Sequence, residues 1–125
     1  MKRLSTTLAQ SRKLVALGLD PATCDFAYCC KEGPFVFTGN CQELALADMT
    51  PAWSTGALLA LLPSGTTFLY SSRRGWHIEF FATIGQKGEI HYESLTSTTS
   101  ALDAVYGLVK HLLEKGHIRK GGDEL

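Results

Sequence analysis

Trp76-His77-Ile78-Glu79-Phe80-Phe81-Ala82-Thr83-Ile84 is the stretch that decides the fold. Trp76, Ile78, Phe80, Ala82 and Ile84 fall on one side of an extended chain, and His77, Glu79, Phe81 and Thr83 on the other. A period of two sustained this long predicts a strand of an antiparallel sheet, with one face on a core and one toward water. Thr67–Ser71 just before it predicts a shorter strand, joined through Ser72-Arg73-Arg74. Just after it, Gln86-Lys87-Gly88 has the form of a three-residue hairpin loop with a left-handed glycine and a bulge. That loop sets Gly85 opposite Glu89, Ile84 opposite Ile90 and Ala82 opposite Tyr92, apolar on apolar. A two-residue loop would set Ile84 against Glu89, so the three-residue loop is preferred.

Working outward, Ser100-Ala101-Leu102-Asp103 predicts a helix start, a capping box with Asp in place of the usual Glu. Leu102, Val105, Tyr106, Val109, Leu112 and Leu113 follow at helical spacing. Lys110, His111 and Lys115 suit the negative end of the dipole, and Gly116 supplies the stop. Gly107 lies off this stripe and weakens the helix by roughly 1 kcal/mol relative to Ala. Upstream, Ser54–Leu62 predicts a helix capped by Ser54 and ended by Pro63. Its sides are apolar enough to expect burial. Pro34–Gly39 predicts a strand, placed at a sheet edge because Pro34 cannot donate to a ladder. The first helix is expected over Thr6–Leu17, with Leu4, Leu8, Leu14, Val15 and Leu17 as a loose apolar stripe and Gly18 as terminator. Asp20-Pro21 predicts at most a capped turn of helix. The order α-β-α-β-β-β-α predicts an α+β domain over residues 1–118: a small antiparallel sheet of three to four strands with helices on one face. Residues 119–125 are expected to form a disordered tail.

Composition excludes more than it names. The 125 residues carry 12 Lys+Arg against 12 Asp+Glu, and 45% are hydrophobic. A core of that size needs neither disulfide nor metal. Zero net charge disfavours a protein devoted to phosphate backbones or anionic membranes. No apolar run, Gly56–Leu62 included, approaches the ~20 residues of a membrane span. Polar residues after Met1-Lys2-Arg3 interrupt any signal-peptide apolar region, so a cytoplasmic location is expected. The balance is not uniform. Lys2, Arg3, Arg12 and Lys13 stand without an acid in residues 1–13, and five acids face only Lys31 in residues 20–48. Cys24, Cys29, Cys30 and Cys41 lack paired C-x2-C spacing, so reduced, small, buried side chains are expected rather than a metal cluster.

The polar sheet face is the candidate site: His77, Glu79, Phe81, His91 and Glu93. In the derived register Thr83 lies opposite His91 and Phe81 opposite Glu93. A carboxylate two residues from an imidazole can orient it for acid–base work or metal ligation. The simpler account is an ordinary solvated face, and neither HExxH nor any equivalent ligand spacing occurs, so neither a metal nor another cofactor is assigned. Phe81 resists that account: an aromatic on a polar face implies a cover or a binding platform. His111 and His117 are read as dipole complements. There is no GxSxG, no Walker A sequence and no GxGxxG after a strand. From residue 54 the order α-β-β-β-α matches double-stranded-RNA-binding domains, with Arg73 and Arg74 as a basic tip. Those domains set lysines at the start of the last helix, where this chain has Thr98-Thr99-Ser100-Ala101-Leu102-Asp103. Nucleic-acid binding is therefore disfavoured.

Leu17-Gly18-Leu19-Asp20-Pro21-Ala22-Thr23, Pro51-Ala52-Trp53-Ser54-Thr55-Gly56-Ala57-Leu58-Leu59-Ala60-Leu61-Leu62-Pro63 and the leucine-rich last helix form a third kind of signal. Together they resemble a group of small uncharacterised proteins from prophages and mobile elements of gut bacteria, over roughly residues 13–118. The resemblance implies an accessory or interaction role and carries no catalytic residue with it. Cys29-Cys30 is not part of the pattern. The expectation is a non-enzymatic interaction module that binds a protein partner or forms a homodimer, through the Phe81 face or the edge strand Phe35–Phe37. The alternatives are an enzyme or metal-binding protein using His77, Glu79, His91 and Glu93 on the polar face, and nucleic-acid binding through Arg73, Arg74 and the basic first helix.

Overall fold

The computed structural model describes residues 4–28, 34–36, 49–83, 89–96 and 100–118. The α+β class holds, with antiparallel strands and helices packed against them. The strands divide between two three-stranded sheets. The first contains β1 (Phe26–Tyr28), β2 (Pro34–Val36) and β3 (Thr50–Ala52), in the order β2-β1-β3. The second contains β4 (Thr66–Ser72), β5 (Gly75–Thr83) and β6 (Glu89–Thr96), in the order β4-β5-β6. Helix α1 spans Leu8–Ala16, α2 spans Thr55–Leu59 and α3 spans Ala101–Glu114. The strand expected over Pro34–Gly39 is β2, and it does lie at a sheet edge. Its neighbours β1 and β3 were not foreseen, because three residues are too few to display a period of two.

The second sheet follows the alternation. Ile78, Phe80 and Ala82 are buried, Trp76, Leu69, Ile90 and Tyr92 pack partly against them, and α3 lies across this face. From α3 the core receives Leu102, Ala104, Val105, Leu108, Val109, Leu112 and Leu113. Leu108 joins the expected stripe, while Tyr106 is only half-buried.

The derived register between β5 and β6 is corrected. Ala82 faces Ile90, Phe81 faces His91, Phe80 faces Tyr92 and Glu79 faces Glu93. Glu89 pairs with Thr83, not with the expected partner, and the expected pairs Thr83–His91, Phe81–Glu93 and Ala82–Tyr92 are not formed. The reason is parity. A slip of two residues leaves every side chain on its face, so apolar still meets apolar, and only odd slips are excluded by pattern. The loop expected at Gln86-Lys87-Gly88 lies outside the described residues, as does the tail over residues 119–125.

Helices α1 and α3 end by the same device. Gly18 and Gly116 adopt positive φ of 96° and 77°, which glycine reaches without a Cβ penalty. Gly18 N–H donates to the Val15 carbonyl, and Leu19 N–H to that of Leu14. Gly116 N–H donates to Leu113, and His117 N–H to Leu112. Both are Schellman pairs that satisfy carbonyls left over by the helix. In the first, Leu14 and Leu19 are both buried in the core, the apolar contact that accompanies the motif.

Helix α1 is shorter than the expected Thr6–Leu17. Thr7 is the N-cap, with its hydroxyl accepting from Gln10 N–H at 3.1 Å while Gln10 Oε1 accepts from Thr7 N–H at 3.0 Å. The apolar stripe is thinner than predicted: Leu14 is buried, whereas Leu4 and Val15 are exposed. Ser11 is buried in their place because its hydroxyl is satisfied by Thr6 Oγ1 at 2.7 Å. Helix α2 keeps Ser54 as its cap but stops at Leu59. The chain then tightens through Leu61 N–H to Leu58 and Leu62 N–H to Leu59, ahead of Pro63. Leu58 alone of its leucines is fully buried, so the helix is less enclosed than its composition predicts.

Beneath α1, the first sheet is tied by polar groups. Thr6 N–H donates to the Trp53 carbonyl (2.9 Å), and Trp53 N–H returns to Thr6 Oγ1 (3.1 Å). The Tyr28 hydroxyl donates to the Thr6 carbonyl at 2.7 Å. Trp53 Nε1–H donates to Thr23 Oγ1 at 2.9 Å, and Asp25 accepts from both Ser54 N–H and the Ser54 hydroxyl. Gln10 extends the system to the start of α3, donating to Asp103 Oδ1 at 2.8 Å.

Candidate functional site

The outer face of the second sheet is open. Three cross-strand rows compose it: Thr66, Phe81 and His91; Phe68, Glu79 and Glu93; Tyr70 and His77. Alternation along each strand puts them on the side away from α3. Phe68 is 50%, Tyr70 45% and Phe81 40% exposed, large values for aromatic rings on a sheet.

The face is ordered by ring contacts. Phe81 and His91 stack with centroids 4.4 Å apart and planes 13° from parallel. Phe68 meets Phe81 edge-on at 6.4 Å, and Tyr70 stacks on His77 at 4.7 Å. Ser72 Oγ lies 2.8 Å from His77 Nε2 and holds that ring from the other side of the hairpin. Stacked and edge-to-face pairs of this kind stabilise a sheet by roughly 0.5–1.5 kcal/mol beyond area burial.

The corrected register also changes the polar grouping. Glu79 and Glu93 stand directly opposite each other, an arrangement of like charges that costs stability. His91 Nε2 lies 3.2 Å from Glu79 Oε1, so the imidazole is oriented by the carboxylate across the strand and not by its neighbour two residues on. One ligand atom from each of Glu79, His91 and Glu93 falls within 4.8 Å of the others. His77 sits apart from this group, against Tyr70. A pocket of about 280 Å³ opens beside the Phe81–His91 stack, lined by Gly65, Phe81, Ala82, Glu89, Ile90 and His91. A Cβ at Gly65 would collide with the Phe81 carbonyl oxygen, so glycine lets the chain pass close to β5 there.

Of the predicted site residues, the fold brings together Glu79, Phe81, His91 and Glu93. Arg73 and Arg74 form the exposed turn between β4 and β5. Phe68 and Tyr70 were missed as site residues: their i, i+2 spacing puts both on one face of the predicted strand, but only the register with β5 shows that it is the face of Phe81. Among the other singled-out residues, His111 lies in the last turn of α3 against Tyr92, with centroids 4.7 Å apart. The Nδ1 atom of His117 is buried, and no described residue hydrogen-bonds it. Cys24 is half-buried against the core, while Cys29, Cys30 and Cys41 lie outside the described residues. Burial, with smaller contributions from Glu114 and Asp103, raises the pKa of Tyr106 above its ordinary value. No helix among the described residues is long and apolar enough to cross a membrane. No family model matches the chain, and no curated protein or solved structure matches it.

Proposed function

We propose that this chain is a non-enzymatic interaction module that binds a protein partner through the Phe68–Tyr70–Phe81 face. The observation that carries the reading is the cluster of three aromatic rings, each at least 40% exposed, on the side of the sheet away from the core helix. Exposed aromatics rimmed by polar groups mark protein interaction surfaces, because each ring releases water over a large area at small entropic cost. The rim here is His77, Glu79, His91 and Glu93. The resemblance to prophage and mobile-element proteins fits the same accessory role, exercised in the cytoplasm. Arg73 and Arg74 alone make too small a basic surface to hold a nucleic acid.

The test compares the intact protein with Phe81→Ser, a substitution at an exposed position. A purified binder identified with the intact chain should broaden or shift the amide signals of β4, β5 and β6. It should lose at least tenfold in affinity for the variant, while the melting temperature stays within a few degrees. Equal affinity, or a footprint confined to other surfaces, would refute the reading.

Glu79, His91 and Glu93 support a second reading, a divalent transition-metal site on the same face. One imidazole and two carboxylates within reach of a single ion form a set that zinc accepts, and a cation would relieve the Glu79–Glu93 opposition. Calorimetric titration with zinc should give one site per chain that His91→Ala abolishes. Indistinguishable isotherms for the two proteins would dismiss it.

A further inference from the structure

We infer that β4 is a homodimerisation edge, along which a second copy of this chain pairs antiparallel about Leu69. The inference goes beyond the face reading and shares Phe68 and Tyr70 with it. Pairing at the edge leaves Phe81 open, so loss of binding in Phe81→Ser and loss of the dimer are separate outcomes.

The described edge strands are not equivalent. In the first sheet, β2 begins with Pro34 and β3 contains Pro51, and proline removes a ladder donor. In the second sheet, β6 carries Glu89 and Glu93, charges that would repel a copy of themselves. The edge strand β4 has none of these devices. Its seven residues, Thr66-Thr67-Phe68-Leu69-Tyr70-Ser71-Ser72, include no proline, no glycine and no charge, and no described strand pairs its outer side. Among the described residues it is an unprotected template for another strand.

The occupant is specified by a second property of the same seven residues. They are palindromic in chemical type: two hydroxyls, an aromatic, Leu69, an aromatic, two hydroxyls. A two-fold axis at Leu69 sets Phe68 opposite the partner's Tyr70, Thr67 opposite the partner's Ser71 and Thr66 opposite the partner's Ser72. Aromatic pairs and Thr–Ser pairs are the cross-strand combinations that stabilise antiparallel sheets, by roughly 0.2–1 kcal/mol each. A two-fold interface also supplies every such pair twice. Arg73 falls beyond the end of the pairing, so no like charges meet, and zero net charge leaves no long-range repulsion between copies. The product is a continuous six-stranded sheet that joins the two Phe68–Tyr70–Phe81 faces side by side.

Light scattering on a size-exclusion column, run across protein concentrations, tests this directly. The intact protein should approach twice the 13.6 kDa chain mass as concentration rises. Phe68→Glu with Tyr70→Glu sets like charges opposite each other twice and should remain at the monomer mass. Phe68→Glu with Tyr70→Lys sets opposite charges in the same places and should restore the dimer. A monomeric intact protein at every concentration overturns the inference. So does a dimer that the first pair of substitutions leaves intact, or one that the second pair fails to restore. Hydrogen exchange on the unmodified chain needs no variant to fold: protection of the β4 amides should rise with concentration, and unchanged protection overturns the inference as well.

Discussion

The two sheets of this molecule reach the same strand count by different physics. In the sheet β4-β5-β6, the strands are seven to nine residues long, and their apolar face is sealed by α3 through Ile78, Phe80, Val105, Leu108, Val109 and Leu112. In β2-β1-β3 each strand has three residues, and Thr6, Thr23, Asp25, Tyr28 and Trp53 tie the strands to α1 and α2 through side-chain hydrogen bonds. The first mechanism tolerates any residues of suitable size and pattern. The second depends on particular donors and acceptors. Burial of apolar area can therefore drive the collapse of the second sheet, while the polar links select one arrangement of the first.

Substitutions can break this comparison, and the largest effect belongs to the apolar side. Phe80→Ala removes a fully buried ring between β5 and α3 and should cost about 3–5 kcal/mol. The loss should appear as a lower urea midpoint for the whole domain. Thr6→Val keeps the volume but removes the acceptor of Trp53 N–H and the partner of Ser11 Oγ. Leaving buried polar groups unpaired should cost about 1–3 kcal/mol. Hydrogen exchange should show the loss first at Trp53 and in β3, with β5 and β6 protected until global unfolding. Uniform loosening of both sheets would erase the distinction drawn between them.

Smaller effects sharpen the same picture within α3. Gly107→Ala places a Cβ at an ordinary 3.7 Å from the Tyr92 hydroxyl, so no close packing requires glycine there. The substitution should raise stability by up to about 1 kcal/mol through helix propensity, visible as a higher melting temperature. Tyr106 gives the smallest effect. Its folded pKa is raised by burial and then by Glu114 and Asp103, so the folded state holds the phenolic proton more tightly than the unfolded chain. The associated stability is complete below the ordinary tyrosine value of about 10 and is lost as pH rises through the folded value. Tyr106→Phe should match the parent near neutrality and fall less steeply in alkaline urea titrations.

The same contrast explains what could be read from the residues in advance. Trp76–Ile84 displays its two faces over nine residues, and Ser100 and Gly116 mark both ends of α3, so the second sheet and its helix were legible. Register was legible only to parity, because a two-residue slip preserves both faces. That slip moved Glu79, not Phe81, opposite Glu93. β1 and β3 escaped because what holds them is a set of pairs such as Thr6 with Trp53, 47 positions apart, which no local period records. The candidate face was half legible: Phe81 betrayed itself as an aromatic among polar residues. Phe68 and Tyr70 stood in a strand whose outward side the pattern left unassigned.

The account turns on one property, that the outer face of β4-β5-β6 meets solvent while the inner face meets α3. A soluble paramagnetic agent reports it in dilute protein, through line broadening of the aromatic side-chain resonances. The account predicts strong broadening at Phe68, Tyr70 and Phe81, with Phe80 and Trp53 unaffected. Phe81 as well protected as Phe80 would contradict it and place a cover where the structure has an open, aromatic surface.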